Sequence, residues 1–327
     1  MKFLIIRFSS IGDIVLTTPV VRCLKKQLVT AEVHYLTKSS FRSIVDSNPY
    51  IDKAHYFEND LENITEQLKQ EDFDYVIDLH HNLRTLKVKK ALGKKSFSFK
   101  KLNIEKWLLT ALKINTLPEI HIVDRYMETV KAFGIKYDGG GLDYFIPDKD
   151  KVKEGDIPAS HHAGYFGVVI GAAHNTKKLP VHKLQELCAG INHPIILLGG
   201  KEDRAIGELI SAVDPVKIYN ACGKFSINES ADLVRRSKII VTHDTGLMHI
   251  AAAFNKPMLS VWGNTVPEFG MTAFYSNKNV QETRFEIRKL SCRPCSKIGY
   301  DKCPRGHFKC MEKISMTEVI ENLKSKM

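Results

Sequence analysis

Short apolar runs alternate with helix-like stretches along almost all of this 327-residue chain, and the rhythm starts twice. Phe3–Arg7, Glu32–Leu36, Lys53–Phe57 and Tyr75–Leu79 read as strands. Ile14–Gln27, Ser40–Ser47, Leu61–Gln70 and Leu117–Phe133 read as helices, the last ending at Gly134. Such alternation builds a parallel sheet covered by helices on both faces. Between Asp138 and Gly164 the composition changes: Gly139-Gly140-Gly141, Pro147, a charged stretch and Pro158 mark a boundary. Beyond it Tyr165–Ile170, Pro194–Leu198, Val216–Tyr219, Ile239–Val241 and Pro257–Trp262 read as strands. Val181–Ala189, Asp203–Val213, Ile227–Arg236 and a closing Thr317–Lys324 read as helices. The expectation is an α/β chain of two doubly wound, Rossmann-like domains, 1–150 and 160–327, facing a cleft.

Bulk properties narrow the partners. The net charge of +11 favours an anionic one: nucleic acid, anionic lipid or a phosphorylated ligand. No nucleic-acid-binding signature is present. No apolar run is long enough to cross a bilayer, and Met1–Ile6 is too short for a secretory signal, so a cytoplasmic location is expected. Between Lys87 and Lys106, lysines mix with Phe97, Phe99 and Leu102, and Trp107 and Leu108 follow. That mixture suits an anionic membrane surface or a phosphorylated lipid headgroup, or else the solvated face of an ordinary helix.

Three loops at strand ends can carry chemistry. Val241 leads through Asp244-Thr245-Gly246 into the small-residue helix Leu247-Met248-His249-Ile250-Ala251-Ala252. A helix start presents free N–H groups and the positive end of a dipole, which suits a phosphate; the same turn also serves as a plain N-cap. Gly171–Pro180 follows a strand with Thr176, Lys177 and Lys178, a hydroxyl and point charges for a diphosphate, unless the lysines merely face solvent. Arg7-Phe8-Ser9-Ser10-Ile11-Gly12-Asp13 follows the first strand. Asp13 there is either a general base or a complement to the helix dipole. Gly-x-Gly-x-x-Gly is absent.

Together, Arg7–Asp13 with Pro19, Asp74–Asp78 leading to Arg84, Thr176–Pro180, Gly199-Gly200 with Glu202, Ala221–Gly223 and Asp244-Thr245-Gly246 with His249 and Ala251-Ala252 resemble the bacterial heptosyltransferases of glycosyltransferase family 9. The resemblance implies the GT-B arrangement and an inverting transfer of heptose from ADP-heptose to a lipid-linked lipopolysaccharide core, with no metal or other cofactor. It implies Asp13 as catalytic base. It implies Thr176, Lys177, Asp244, Thr245, Gly246, Leu247 and His249 on the donor, and Ser9, Ser10, Gly12, Arg84 and Arg125 near the acceptor. It also implies a cytoplasmic protein peripheral to the inner membrane. Leu179 stands where the family often has tryptophan, and Asp78–Asn82 departs from the usual Gln-Gly. The competing readings are a sugar-nucleotide epimerase of the same build and a basic nucleic-acid-binding protein with a cysteine-rich module.

Cys292, Cys295, Cys303 and Cys310, in a loop spanning 290–312, have a C-x2-C start that suits a structural zinc, with His307 able to replace one ligand. The alternatives are free thiols or reversible disulfides. Cys23, Cys188 and Cys222 read as buried small hydrophobes.

Overall fold

The computed structural model describes residues 1–326 and contains two parallel sheets, one in each of two compact units. The first unit comprises Met1–Lys101, Ile120–Phe145 and Phe274–Ser276; Leu102–Glu119, Ile146–Ala273 and the chain from Asn277 onward form the second.

The first sheet contains β1 (Lys2–Ile6), β2 (Glu32–Lys38), β3 (Lys53–Phe57), β4 (Tyr75–Asp78) and β5 (Lys95–Ser98), in the order β3-β2-β1-β4-β5. Phe3, Leu4, Ile5 and Ile6 of central β1 are wholly buried, as a strand covered on both faces requires. The second sheet contains β6 (Phe166–Val169), β7 (Ile195–Leu198), β8 (Ile218–Asn220), β9 (Ile239–His243), β10 (Met258–Trp262) and β11 (Glu282–Glu286), in the order β11-β10-β9-β6-β7-β8. Every pairing in both sheets is parallel.

The order sets where ligands can enter. In the first sheet the chain moves outward from β1 through β2 to β3, then returns to place β4 on the other side of β1. In the second it moves from β6 to β8, then returns to place β9 beside β6. The loops after β1 and β4, and those after β6 and β9, therefore diverge and leave a crevice at each switch point.

Local signals explain most helices. Asp60 caps Leu61–Lys69 by accepting from the Asn63 N–H, and a reciprocal Ser226–Glu229 box opens Ile227–Arg236. Other helices differ from expectation. The single helix expected over Ile14–Gln27 is two, Ile11–Val15 and Thr18–Gln27, because Pro19 lacks an N–H and fits only a first turn. The long helix expected over Leu117–Phe133 is only Ile122–Met127: Pro118 holds the preceding residue extended, and His121 caps the start. Helices at Leu83–Leu92 and Asn103–Trp107 and strands β5 and β11 were not anticipated.

One buried carboxylate fixes the turn after β4. Asp78 is fully buried; its Oδ1 accepts from the His81 N–H at 2.7 Å, its Oδ2 from the Thr85 hydroxyl at 2.8 Å, and Lys89 pairs with it at 2.8 Å. Removing one member of such a pair strands the other charge. Asp78→Ala is expected to cost about 3 kcal/mol of unfolding free energy, read by urea denaturation.

Candidate functional site

Each unit gathers its own set of functional groups at its switch point. In the first, the chain leaves β1 at Ile6 and turns into the helix Ile11–Val15, which begins early enough to put Asp13 in its first turn. The Asp13 Oδ2 accepts from the Ser10 N–H at 3.2 Å and the Ser10 hydroxyl at 2.9 Å. Its Oδ1 takes the Arg7 guanidinium at 2.7 Å. Arg7 is itself buried and tied down: its Nε donates to the Ser9 carbonyl at 2.7 Å, and its Nη1 to the Leu79 carbonyl at 2.6 Å and the Tyr126 hydroxyl at 3.0 Å. Burial opposes the Arg7 charge, but the adjoining Asp13 carboxylate together with the Tyr126 and Tyr35 hydroxyls outweighs it, and the guanidinium pKa rises. Asp13 keeps 20 % of its side chain exposed, so a carboxylate of fixed orientation still meets solvent.

Around it, Ser9 is partly buried, Ser10 exposed and Gly12 buried. Arg84 is exposed, with its guanidinium 5.4 Å from the centre of the Phe8 ring. Arg125 is buried, one position before Tyr126, and burial lowers its pKa. Sequence reasoning missed His80, which packs 5.0 Å from the Phe8 ring. Burial, then the nearby Arg7 charge, lowers its pKa to about 4, so the ring is neutral at neutral pH. Its Nδ1 is buried with no hydrogen-bond partner.

In the second unit, Lys177 follows β6 and Asp244 follows β9, the two strands flanking the switch point. The Lys177 Nζ donates to the Asp244 Oδ2 at 2.6 Å, and the Thr265 hydroxyl donates to the same oxygen at 2.9 Å. Thr245 is the N-cap of the helix Gly246–Ala253 and offers no side-chain cap bond. The first N–H groups of that helix thus lack an intrahelical partner. Thr245 and Gly246 are partly open, whereas Leu247 and His249 are buried. Neither lysine simply faces solvent: Lys178 pairs with buried Asp203 at 2.7 Å. Gly171 and Gly199 make room for that carboxylate, since a Cβ on either would lie within 3.0 Å of Asp203.

The structure puts Thr176 to a different use from the phosphate contact expected. The residue is buried; its N–H and hydroxyl both donate to the Tyr300 carbonyl at 3.0 Å, and the hydroxyl accepts from the Tyr300 N–H at 2.8 Å. It fastens the 174–177 loop to the cysteine-rich loop. That second loop also carries Arg293, another residue missed from sequence. Buried Arg293 pairs with Glu286 at 2.7 Å and donates to the Gly263 carbonyl at 2.6 Å and the Thr265 carbonyl at 2.9 Å. The Cys295 N–H donates to the Asn264 carbonyl at 3.2 Å. The cysteine-rich loop thus braces both loops that present Lys177 and Thr265.

The four cysteines lie near one another, but among the described residues no three of their sulfurs come within 4.8 Å of one another. Cys310 is buried in the core and Cys292, Cys295 and Cys303 are half-buried. Burial, then the neighbouring Cys292, pushes the Cys295 thiol up to about 11. The Cys292 Sγ lies 3.7 Å from the His307 Nε2. Among the described residues, the group of three potential ligands lying within 4.8 Å of one another is His34, His55 and Glu71, not the cysteines. The zinc expectation has no support in this geometry.

The family model described as glycosyltransferase family 9 (heptosyltransferase) matches residues 62–299. The chain is 26 % identical over 305 residues to lipopolysaccharide heptosyltransferase 1 of Campylobacter coli, a match spanning 85 % of this chain and 88 % of that one. With lipooligosaccharide heptosyltransferase 2 of Haemophilus influenzae it shares 34 % identity over 107 residues, 32 % of this chain and only 31 % of the relative. Among solved structures, the family 9 glycosyltransferase of Veillonella parvula superposes with a TM-score of 0.78 at 19 % identity, covering 99 % of this chain and 96 % of that one. E. coli ADP-heptose lipopolysaccharide heptosyltransferase II superposes with a TM-score of 0.74 at 18 % identity, covering 100 % and 98 %. The fold is therefore the two-domain parallel α/β architecture of the GT-B type.

Two outcomes follow from the bracing and the burial. Arg293→Ala should lower unfolding free energy by about 3 kcal/mol and speed amide exchange across 263–265, read by hydrogen-exchange mass spectrometry. His243, whose Nε2 accepts from the Leu179 N–H at 2.9 Å, is lowered to about 3 by burial and then by Lys178. The unfolded chain then binds a proton below its ordinary pKa that the folded one refuses, so stability falls with falling pH. From pH 7 to 5 the loss should be about 2 kcal/mol from this group, and His243→Gln should flatten the profile by that amount in urea titrations.

Proposed function

The chain belongs to glycosyltransferase family 9, the heptosyltransferases, and on that footing we propose that it moves a heptose from ADP-heptose to a lipid-linked lipopolysaccharide core. The observation that carries this reading is the joining of Lys177 and Asp244 across the switch point, beside an uncapped helix start. The family match favours transfer over the epimerase and nucleic-acid readings.

The acceptor hydroxyl attacks the anomeric carbon; the bond from that carbon to the diphosphate oxygen breaks, and ADP leaves with the electron pair on the face opposite attack. Inversion results. Negative charge grows on the diphosphate, where the Gly246 and Leu247 N–H groups, the helix dipole and Lys177 are fixed to receive it. Fixed donors of this kind supply what a divalent ion supplies elsewhere, so chelators should leave turnover unchanged. Asp244, itself held by the Thr265 hydroxyl, holds the Lys177 ammonium before the donor arrives, and His249 sits buried in the helix that starts there. Asp13 takes the hydroxyl proton. Arg7 and Ser10 hold its two oxygens in place, which spares reorganisation at attack. Ser9, Ser10, Gly12, Arg84 and Arg125 form the acceptor side, the arginines matching an anionic core sugar. Among the described residues no helix is long and apolar enough to cross a membrane, and a peripheral position at the cytoplasmic face of the inner membrane follows from the lipid-linked acceptor.

Asp13→Asn should lower kcat by roughly a hundredfold or more while leaving the ADP-heptose Kd within about twofold. Lys177→Ala should weaken ADP-heptose binding and slow turnover together, because it removes a charge that meets the diphosphate in both states. Release of ADP in the presence of core oligosaccharide, with calorimetric donor titration, reads both; an Asp13→Asn enzyme of normal turnover would remove Asp13 from the reaction.

A further inference from the structure

Residues 102–119 leave the first part of the sequence to pack on the second unit. The helix Asn103–Trp107 continues in a wider π-type turn over Leu108–Leu112, and Leu109 is the inward residue, buried against Val266, Phe269 and Leu117. Lys113 secures the far end by donating to the Pro294 carbonyl at 2.7 Å. Leu102 and Leu108 are half-buried, whereas four large apolar side chains of the segment are exposed: Ile104 by 73 %, Trp107 by 53 %, Leu112 by 53 % and Ile114 by 50 %. A short segment that packs Leu109 and Leu117 inward yet leaves four large hydrophobes exposed offers apolar surface to another phase. The loop it is tied to supplies charge. Between Arg288 and Lys313, besides buried Arg293, stand seven lysines and arginines against two acids, Asp301 and Glu312, and Ile298 there is exposed as well.

We propose that this face, Ile104, Trp107, Leu112 and Ile114 beside the basic loop carrying Lys297, Lys302 and Arg305, docks the protein on an anionic lipid bilayer. Apolar side chains enter the boundary between headgroups and acyl chains, tryptophan prefers that depth, and the cations stay among lipid phosphates. The inference rests on the membrane-borne acceptor of the proposed reaction and names the surface that meets the membrane. It also places that surface on the element packed against Val266 and Phe269, directly after the Thr265 loop. A bilayer held there lies beside the loops that present the donor.

The protein carries its own probe. It has two tryptophans, and Trp262 is 1 % exposed, so a change in emission on adding vesicles reports Trp107. With phosphatidylethanolamine–phosphatidylglycerol vesicles the full-length protein should float and its emission should shift to shorter wavelength; with phosphatidylcholine vesicles both effects should be much smaller. Ile104→Ser combined with Trp107→Ser should weaken flotation by roughly tenfold or more. The same double variant should transfer heptose to a delipidated, soluble core acceptor at the unmodified rate. Failure to float, flotation without a spectral shift, or a shift that grows with protein concentration in the absence of lipid would overturn the proposal, the last pointing to a second copy of the chain. An unmodified protein that binds anionic vesicles but transfers no heptose would sink the reaction and leave the surface standing.

Discussion

Parallel pairing throughout both sheets is the constraint from which the site follows. In a parallel sheet all strands end on the same edge, so every strand-to-helix loop of a unit is delivered to one side. The order of strands then decides which loops part. Arg7–Asp13 and Leu79–Arg84 flank the reversal in the first sheet, and Lys177 and Asp244 flank it in the second. Residues more than sixty positions apart, such as Lys177 and Asp244, become hydrogen-bonded partners because their strands are neighbours.

The same electrostatic device is used in both units. A charge at the switch point is held by an opposite charge that is itself anchored: Asp13 by Arg7, and Lys177 by Asp244. Pairs of this sort are weak sources of stability, since desolvation offsets attraction. Their value lies in orientation, because a group already aimed need not be reorganised when charge develops. The anchors reach further than the pairs. Arg7 ties the turn after β1 to the Leu79 carbonyl after β4 and to Tyr126, and Arg293 ties the cysteine-rich loop to the carbonyls of Gly263 and Thr265. The cysteine-rich loop thus braces its neighbours through its arginine and backbone.

Much of this was legible in the sequence. The central strands are short continuous apolar runs, and Phe3–Ile6 or Ile195–Leu198 can be little else. The two missed strands, Lys95–Ser98 and Glu282–Glu286, are edge strands whose polar residues guard an open side and erase the apolar signal. The positions of Asp13, Lys177 and Asp244 just after strands were readable from the sequence. What each side chain would bond to was not, because Arg7 with Leu79 and Tyr126, or Thr176 with Tyr300, are contacts between segments far apart in the chain. Thr176 shows the consequence: a hydroxyl read as a phosphate contact is found bonded to the Tyr300 backbone, holding two distant loops together.

The most direct test is a crystal structure of the protein with ADP and an unreactive fluorinated heptose donor. The account predicts the diphosphate on the Gly246 and Leu247 N–H groups, with the Lys177 ammonium donating to a phosphate oxygen while still held by Asp244. A diphosphate bound away from the 244–247 turn and out of reach of Lys177 would contradict it.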